Sequence, residues 1–222
     1  MPPGAPQLDS DRALALAYVP AAKRAAIGAL WRLDLALGAV LAGGREPLIS
    51  QIKLTWWRDA LEKLDAAKAP AEPVLQDVAE HVLGAGVPGA TLSQMEEGWE
   101  VLLSQEPLTT EELARYAAGR GALLFRHSAG LLGGQLSSDM EAAGEAWALV
   151  DLARHSNPVD GAAAMAAAAE RLEPLRWPAR LRPLGMLAVL AARDVGRGLA
   201  DLEPPGAPPR MLRMLRHRFT GG

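Results

Sequence analysis

Isoleucine, threonine, phenylalanine and tyrosine are scarce in this chain, with three, five, two and two residues out of 222. These are the side chains that pack best on a pleated sheet, whereas the plentiful alanine, leucine, glutamate and arginine favour helices. The chain therefore points to an all-α fold. Half of the residues are hydrophobic, enough for one sizeable core, and no linker splits the chain convincingly. A flexible tail is expected over 1–8 and one helical domain over 9–222. Lys+Arg 23 against Asp+Glu 26 leaves a net charge of −3, which gives no reason to expect nucleic acid as a partner. Cysteine is absent, which excludes disulfide scaffolds, thiol nucleophiles and cysteine zinc sites together. No two of the histidines His81, His127, His155 and His217 sit at short ligand spacing. The start Met1-Pro2-Pro3-Gly4 lacks a signal-peptide pattern, and no run of about 18 uninterrupted apolar residues marks a membrane span. A cytoplasmic protein is expected.

Caps and breakers divide the chain into helices. Asp9-Ser10-Asp11 caps a first short helix, and Pro20 opens a second that runs to about Leu41, closed by Gly43-Gly44. A third spans Pro47 to Ala67. Pro70 and Pro73 bracket the next, with Val74, Val78 and Val82 on its buried side. Further helices are predicted over 91–104, 109–132, 138–155, 161–172 and 178–199. A basic helix over 210–218 follows the Pro204–Pro209 run. Thr109-Thr110-Glu111-Glu112 is a strong start, with hydroxyls for capping and acids against the helix dipole.

The segment Leu54-Thr55-Trp56-Trp57-Arg58-Asp59-Ala60-Leu61 is the most unusual. Adjacent tryptophans lie about 100° apart on a helix. One is therefore expected in the core, and the other at a boundary or a pocket wall, where Arg58 could anchor an anion. Two acidic patterns read as surface features. Glu96 and Glu100 share a helix face as a charged surface, and Asp194 and Asp201 share another as a solvated or salt-bridged face. His127 reads as a hydrogen-bonded structural histidine. The terminal helix is amphipathic and short, so its Met/Leu side is expected to dock on the bundle, with contact of Arg210, Arg213 and Arg216 with the inner face of an anionic membrane as the alternative.

Three blocks together carry a family resemblance. Tyr18-Val19-Pro20-Ala21-Ala22-Lys23-Arg24 leads through Trp31 into the Pro47-Leu48…Trp56-Trp57-Arg58-Asp59 helix. Tyr116-Ala117-Ala118-Gly119-Arg120-Gly121 follows, and then Gly144-Glu145-Ala146-Trp147 through Arg154. The chain resembles the squalene/phytoene synthase family in all three, in consistent order. The resemblance implies an isoprenoid-synthase-like bundle around an apolar cavity, with Trp31, Trp56, Trp57, Arg58, Tyr116 and Gly119 as candidate pocket residues. Active members condense two prenyl diphosphates head to head, using two Asp-x-x-x-Asp motifs that hold Mg²⁺.

Both motifs are degenerate here. The first falls on Gly38, Ala39 and Ala42, and Asp34 is the only acid on that helix. At the second, Asp151 stands where the family usually has an amide, and the expected aspartates fall near His155 and Val159. A non-catalytic relative is therefore expected, with no metal or cofactor, binding an isoprenoid or lipid or acting in protein assembly. The family has such a branch, similar to mitochondrial complex I assembly factors, and the Pro47-Leu48…Trp56-Trp57-Arg58-Asp59 segment resembles it. The alternative is an active Mg²⁺-dependent prenyltransferase that recruits Asp151, Asp160, Glu96 or Glu100.

Overall fold

The computed structural model describes residues 6–42, 46–103 and 107–222, and among these it is helical without a strand. Helix α1 (Ser10–Ala17) is capped by Asp9, whose carboxylate accepts from the Arg12 amide at 2.9 Å. Helix α2 (Ala21–Ala42) is the central core element, burying Ile27, Leu30, Trp31, Leu33 and Leu37 completely or nearly so. It is long and apolar enough to cross a bilayer, yet its residues are mostly enclosed by the other helices. The Gly43-Gly44 stop signal lies outside the described residues.

Helix α3 (Pro47–Lys63) buries Leu54, Trp57 and Leu61 and ends four residues before Ala67. Helix α4 (Pro73–Asp77) runs on into a π-helical turn over 78–82, with Val74, Val78 and Val82 inward as their spacing required. The helix expected over 91–104 is broken. Helix α5 (Gly89–Leu92) and helix α6 (Met95–Glu100) are separate, and a 3₁₀ turn follows over 101–103.

Helix α7 (Thr110–Tyr116), a π turn over 117–122 and helix α8 (Leu123–Leu131) form one continuous rod. Its start is a capping box. The Thr109 hydroxyl accepts from the Glu112 amide, and the Glu112 carboxylate accepts from the Thr109 amide. Helix α9 (Ser138–His155) matches its expected span. Helix α10 (Pro158–Ala169) begins three residues earlier than expected, because Asn157 caps the amides of Val159 and Asp160 and Pro158 takes the first turn. Helix α11 (Arg182–Arg197) and helix α12 (Pro208–Thr220) complete the bundle.

Backbone approach fixes the centre. A Cβ on Gly119 would stand 2.7 Å from the Gly98 Cα, so the π turn and α6 touch main chain to main chain. Gly121 meets the Gly144 carbonyl of α9 in the same way. Glycine at these positions lets the π turn lie between α6 and α9. Of the expected tail, residues 1–5 lie outside the described residues. Leu8 packs against the core, and Pro6 and Gln7 line the cavity described next.

Candidate functional site

A cavity of about 940 Å³ opens between α1, α2, α7, α9, α10, α11 and α12. Ligand sites commonly occupy roughly 300–1,000 Å³, so this one sits at the large end. Leu35, Leu41, Leu108, Val150, Leu187 and Leu190 supply apolar wall. The cavity is not uniformly apolar, however, because two chains of ion pairs run through its lining.

The first chain is centred on Arg120 in the π turn. Its guanidinium donates to Asp34 through Nε at 2.9 Å and Nη2 at 3.0 Å, and it pairs with Asp151 at 2.6 Å. It also donates to the Tyr116 hydroxyl. Arg12 joins the chain, pairing with Asp34 at 3.0 Å and Asp9 at 2.8 Å. The arginines are stacked as well as paired. Arg120 lies 4.2 Å from the Trp99 ring centroid and 5.0 Å from that of Trp147, and Arg12 lies 4.9 Å from that of Trp147. Arg120 and Asp34 are both buried. Burial alone would favour losing the Arg120 proton, but Asp34, Tyr116 and Asp151 raise its pKa well above the ordinary value. Burial pushes Asp151 up, yet Arg120, Arg12 and His155 together hold it down at about 2. Burial raises the Tyr116 hydroxyl far above its ordinary range, so it stays a neutral phenol.

The second chain ties four helices together. Arg210 of α12 pairs with Asp11 of α1 at 2.8 Å and Asp194 of α11 at 2.6 Å, and Arg154 of α9 pairs with Asp194 at 2.7 Å. Asp194 is buried, so its face is salt-bridged and not solvated. Asp201 lies beyond the end of α11 in a 3₁₀ turn and does not share that helix. Arg210 is buried too and takes no part in an exposed basic face; Arg213 is half-buried and Arg216 is exposed.

Of the six expected pocket residues, only Tyr116 lines this cavity. Trp31 is buried in the core, and its indole donates to the Ser128 hydroxyl at 3.1 Å. Trp57 is buried and Trp56 is about half exposed, their rings packed edge to face at 5.4 Å. The wide angle between neighbours on a helix sends them to different environments. Arg58 is partly exposed and turns towards α6, 3.9 Å from the buried Glu96 and too far for a hydrogen bond. Gly119 is spent on the contact with Gly98. Glu96 is not on a charged surface: it is buried without a hydrogen-bond partner, and burial followed by Glu100 lifts its pKa to about 6. His127 is buried, and its pKa is lowered chiefly by that burial.

Asp151 and Asp160 both line the cavity. Asp160 accepts from the Leu108 amide at 2.8 Å and from Asn157 at 2.8 Å, holding the start of α10 to the segment before α7. Gly38, Ala39 and Ala42 also line the cavity, without a carboxylate among them. A magnesium ion needs octahedral oxygen ligands with free carboxylate lone pairs. Here the carboxylates of Asp11, Asp34, Asp151 and Asp194 are each engaged by one or two guanidiniums. Among the described residues no group of three or more His, Asp or Glu could hold a metal ion. The donor set does not fit a magnesium cluster. Arg12, Arg154 and the stacked tryptophans escaped the sequence reading. The signals available were charges set in apolar helical runs, Asp34 within Ala29–Val40 and Arg120 between two glycines.

The all-α bundle agrees with one comparison. The squalene/phytoene synthase family model matches residues 5–158, well over half of the 222. The chain belongs to the squalene/phytoene synthase family. Comparison with curated proteins and with solved structures gives no significant match.

Proposed function

We propose that this chain is a non-catalytic member of its family that holds an isoprenoid or another lipid in the large cavity. One observation carries the reading: arginines already neutralise Asp11, Asp34, Asp151 and Asp194 along the cavity, carboxylates that a metal cluster would need, while the cavity itself stays open. A diphosphate leaving group would find no paired metal there to take up its charge. The apolar wall offers a prenyl or acyl chain about 940 Å³. The test is retention of lipid by the purified chain. After equilibration with geranylgeraniol or palmitate and gel filtration, stoichiometric lipid is expected by mass spectrometry. Ala39→Trp, which fills the cavity from α2, should cut retention about tenfold. Failure to retain either chain refutes lipid holding.

A second reading, assembly through protein contacts, is favoured by α3. Leu48, Ile49, Ile52 and Trp56 are all exposed, and Leu48, Ile52 and Trp56 repeat at four-residue intervals along one face. Exposed stripes of this kind mark interaction surfaces. A cytoplasmic chain peripheral to a membrane fits α12, where Met211, Leu212 and Phe219 are exposed beside Arg213 and Arg216.

A further inference from the structure

The faces of α11 serve different spaces. Leu187, Leu190, Ala191 and Asp194 look into the large cavity, whereas Ala188, Val189 and Ala192 line a second pocket of about 380 Å³ that shares no residue with the first. Its other walls are the 172–177 segment with Leu172, Leu175 and Trp177, Ala143 of α9, and Arg213 and His217 of α12.

Three observations meet in this pocket. His217 is 2% exposed, and neither ring nitrogen has a hydrogen-bond partner. A buried imidazole without partners is costly and rare in folded proteins. Two guanidiniums, Arg213 and Arg176, also line the pocket, and neither makes an ion pair among the described residues. The rest of the lining is mainly apolar, with Trp177 providing a broad face. Unpaired cations, a donor-capable imidazole and an apolar wall together match one class of ligand.

We propose that this pocket binds a small anionic amphiphile, a phosphate or carboxylate head on an alkyl chain. The head is taken by Arg213 and Arg176 beside the His217 ring, and the chain lies against Trp177, Ala188 and Val189. The charged groups near the imidazole are Arg213 on its own helix, Arg182 at the start of α11, and Arg176 and Glu173 from the 172–177 segment. Burial first, then Arg213 and Arg182, hold His217 at about 4 in the free protein. A bound anion reverses that balance, favouring the protonated ring. The pocket is small for a ligand site, which sets the alkyl chain at medium length. This inference is independent of what fills the large cavity.

The experiment follows the His217 ring by NMR in the full chain, with the resonance assigned by its loss in His217→Gln. Three probes are titrated: inorganic phosphate, monomeric decyl phosphate and decanol. Decyl phosphate is expected to saturate and to raise the His217 pKa by at least one unit. Head or tail alone should bind about tenfold or more weakly. Arg213→Gln should weaken decyl phosphate roughly tenfold. Val189→Trp and Ala192→Trp, which fill the pocket from its accessible side with every charge kept, should each abolish binding. Vesicles containing phosphatidic acid distinguish the source of the head. A His217 shift with vesicles equal to that with decyl phosphate marks a membrane lipid as the ligand, and a shift with the monomer alone marks a free amphiphile. The proposal is overturned if decyl phosphate leaves His217 unmoved. Binding no tighter than that of inorganic phosphate overturns it as well, as does undiminished binding in both filled variants.

Discussion

Arg120→Leu removes the cation on which the cavity wall depends. In the intact protein Asp34 is fully buried and accepts two bonds from Arg120 and one from Arg12. After substitution only the Arg12 contact remains, and an under-compensated carboxylate stays in a low-dielectric core. Breaking a buried pair from one side costs about 3–5 kcal/mol. Loss of the stacking on Trp99 and Trp147 adds to this, while the leucine regains part through apolar burial. A net loss of about 3–5 kcal/mol is expected, a large fraction of an ordinary domain's stability. Urea unfolding at pH 7, followed by circular dichroism, measures it. Two controls sharpen the result. Arg126→Leu breaks the Arg126–Glu141 pair on the surface and should cost no more than about 1 kcal/mol. Asp34→Asn combined with Arg120→Leu should recover part of the loss, because the stranded charge is gone. A cost below about 1 kcal/mol for Arg120→Leu would refute the reasoning, since Asp34 would then have water or another partner.

Glu96 and Asp151 should give opposite pH responses. Glu96 binds its proton more tightly folded (about 6) than its ordinary 4.5, so it destabilises progressively as pH rises through that interval. Glu96→Gln should therefore stabilise the protein at pH 7 by up to about 2 kcal/mol and change little below pH 4; equal effects at both pH values would contradict this. Asp151, lowered from 3.8 to about 2, contributes stability that is present above its ordinary pKa and lost as pH falls towards 2. Asp151→Asn should remove about 2 kcal/mol at neutral pH, read from urea midpoints at pH 7 and pH 2.5. Gly119→Ala places a methyl against the Gly98 backbone and should cost about 1–3 kcal/mol or more; a neutral result in thermal melts would mean α6 is not held there. Trp57→Ala should cost about 3–5 kcal/mol, whereas Trp56→Ser, at a half-exposed position, should stay within about 0.5 kcal/mol.

Local chemistry made much of the fold readable. The Thr109/Glu112 box, the valine spacing of α4 and the Pro47 start each depend on neighbours within a few residues, and each appears where expected. Non-local chemistry hid the site. Asp34 stands 86 positions from Arg120, and Asp11 stands 199 from Arg210. No periodicity links such partners, so Arg210 read as part of a basic surface, and Asp194 read as part of a solvated or salt-bridged face with its partners unnamed. The π turn over 117–122 was equally illegible, because its small residues suit an α-helix as well. Glu96 misled for a related reason: spacing to Glu100 reports a shared helix face, not whether a neighbouring helix covers it.

The most direct test of the non-catalytic reading is pyrophosphate release. The purified chain is incubated with farnesyl and geranylgeranyl diphosphate and millimolar Mg²⁺, and release is compared with a metal-free control. The expected result is release equal to that control, in samples where circular dichroism shows a folded helical protein. Magnesium-dependent release above the control, abolished by Asp151→Asn, would contradict the reading and return the cavity carboxylates to a catalytic role.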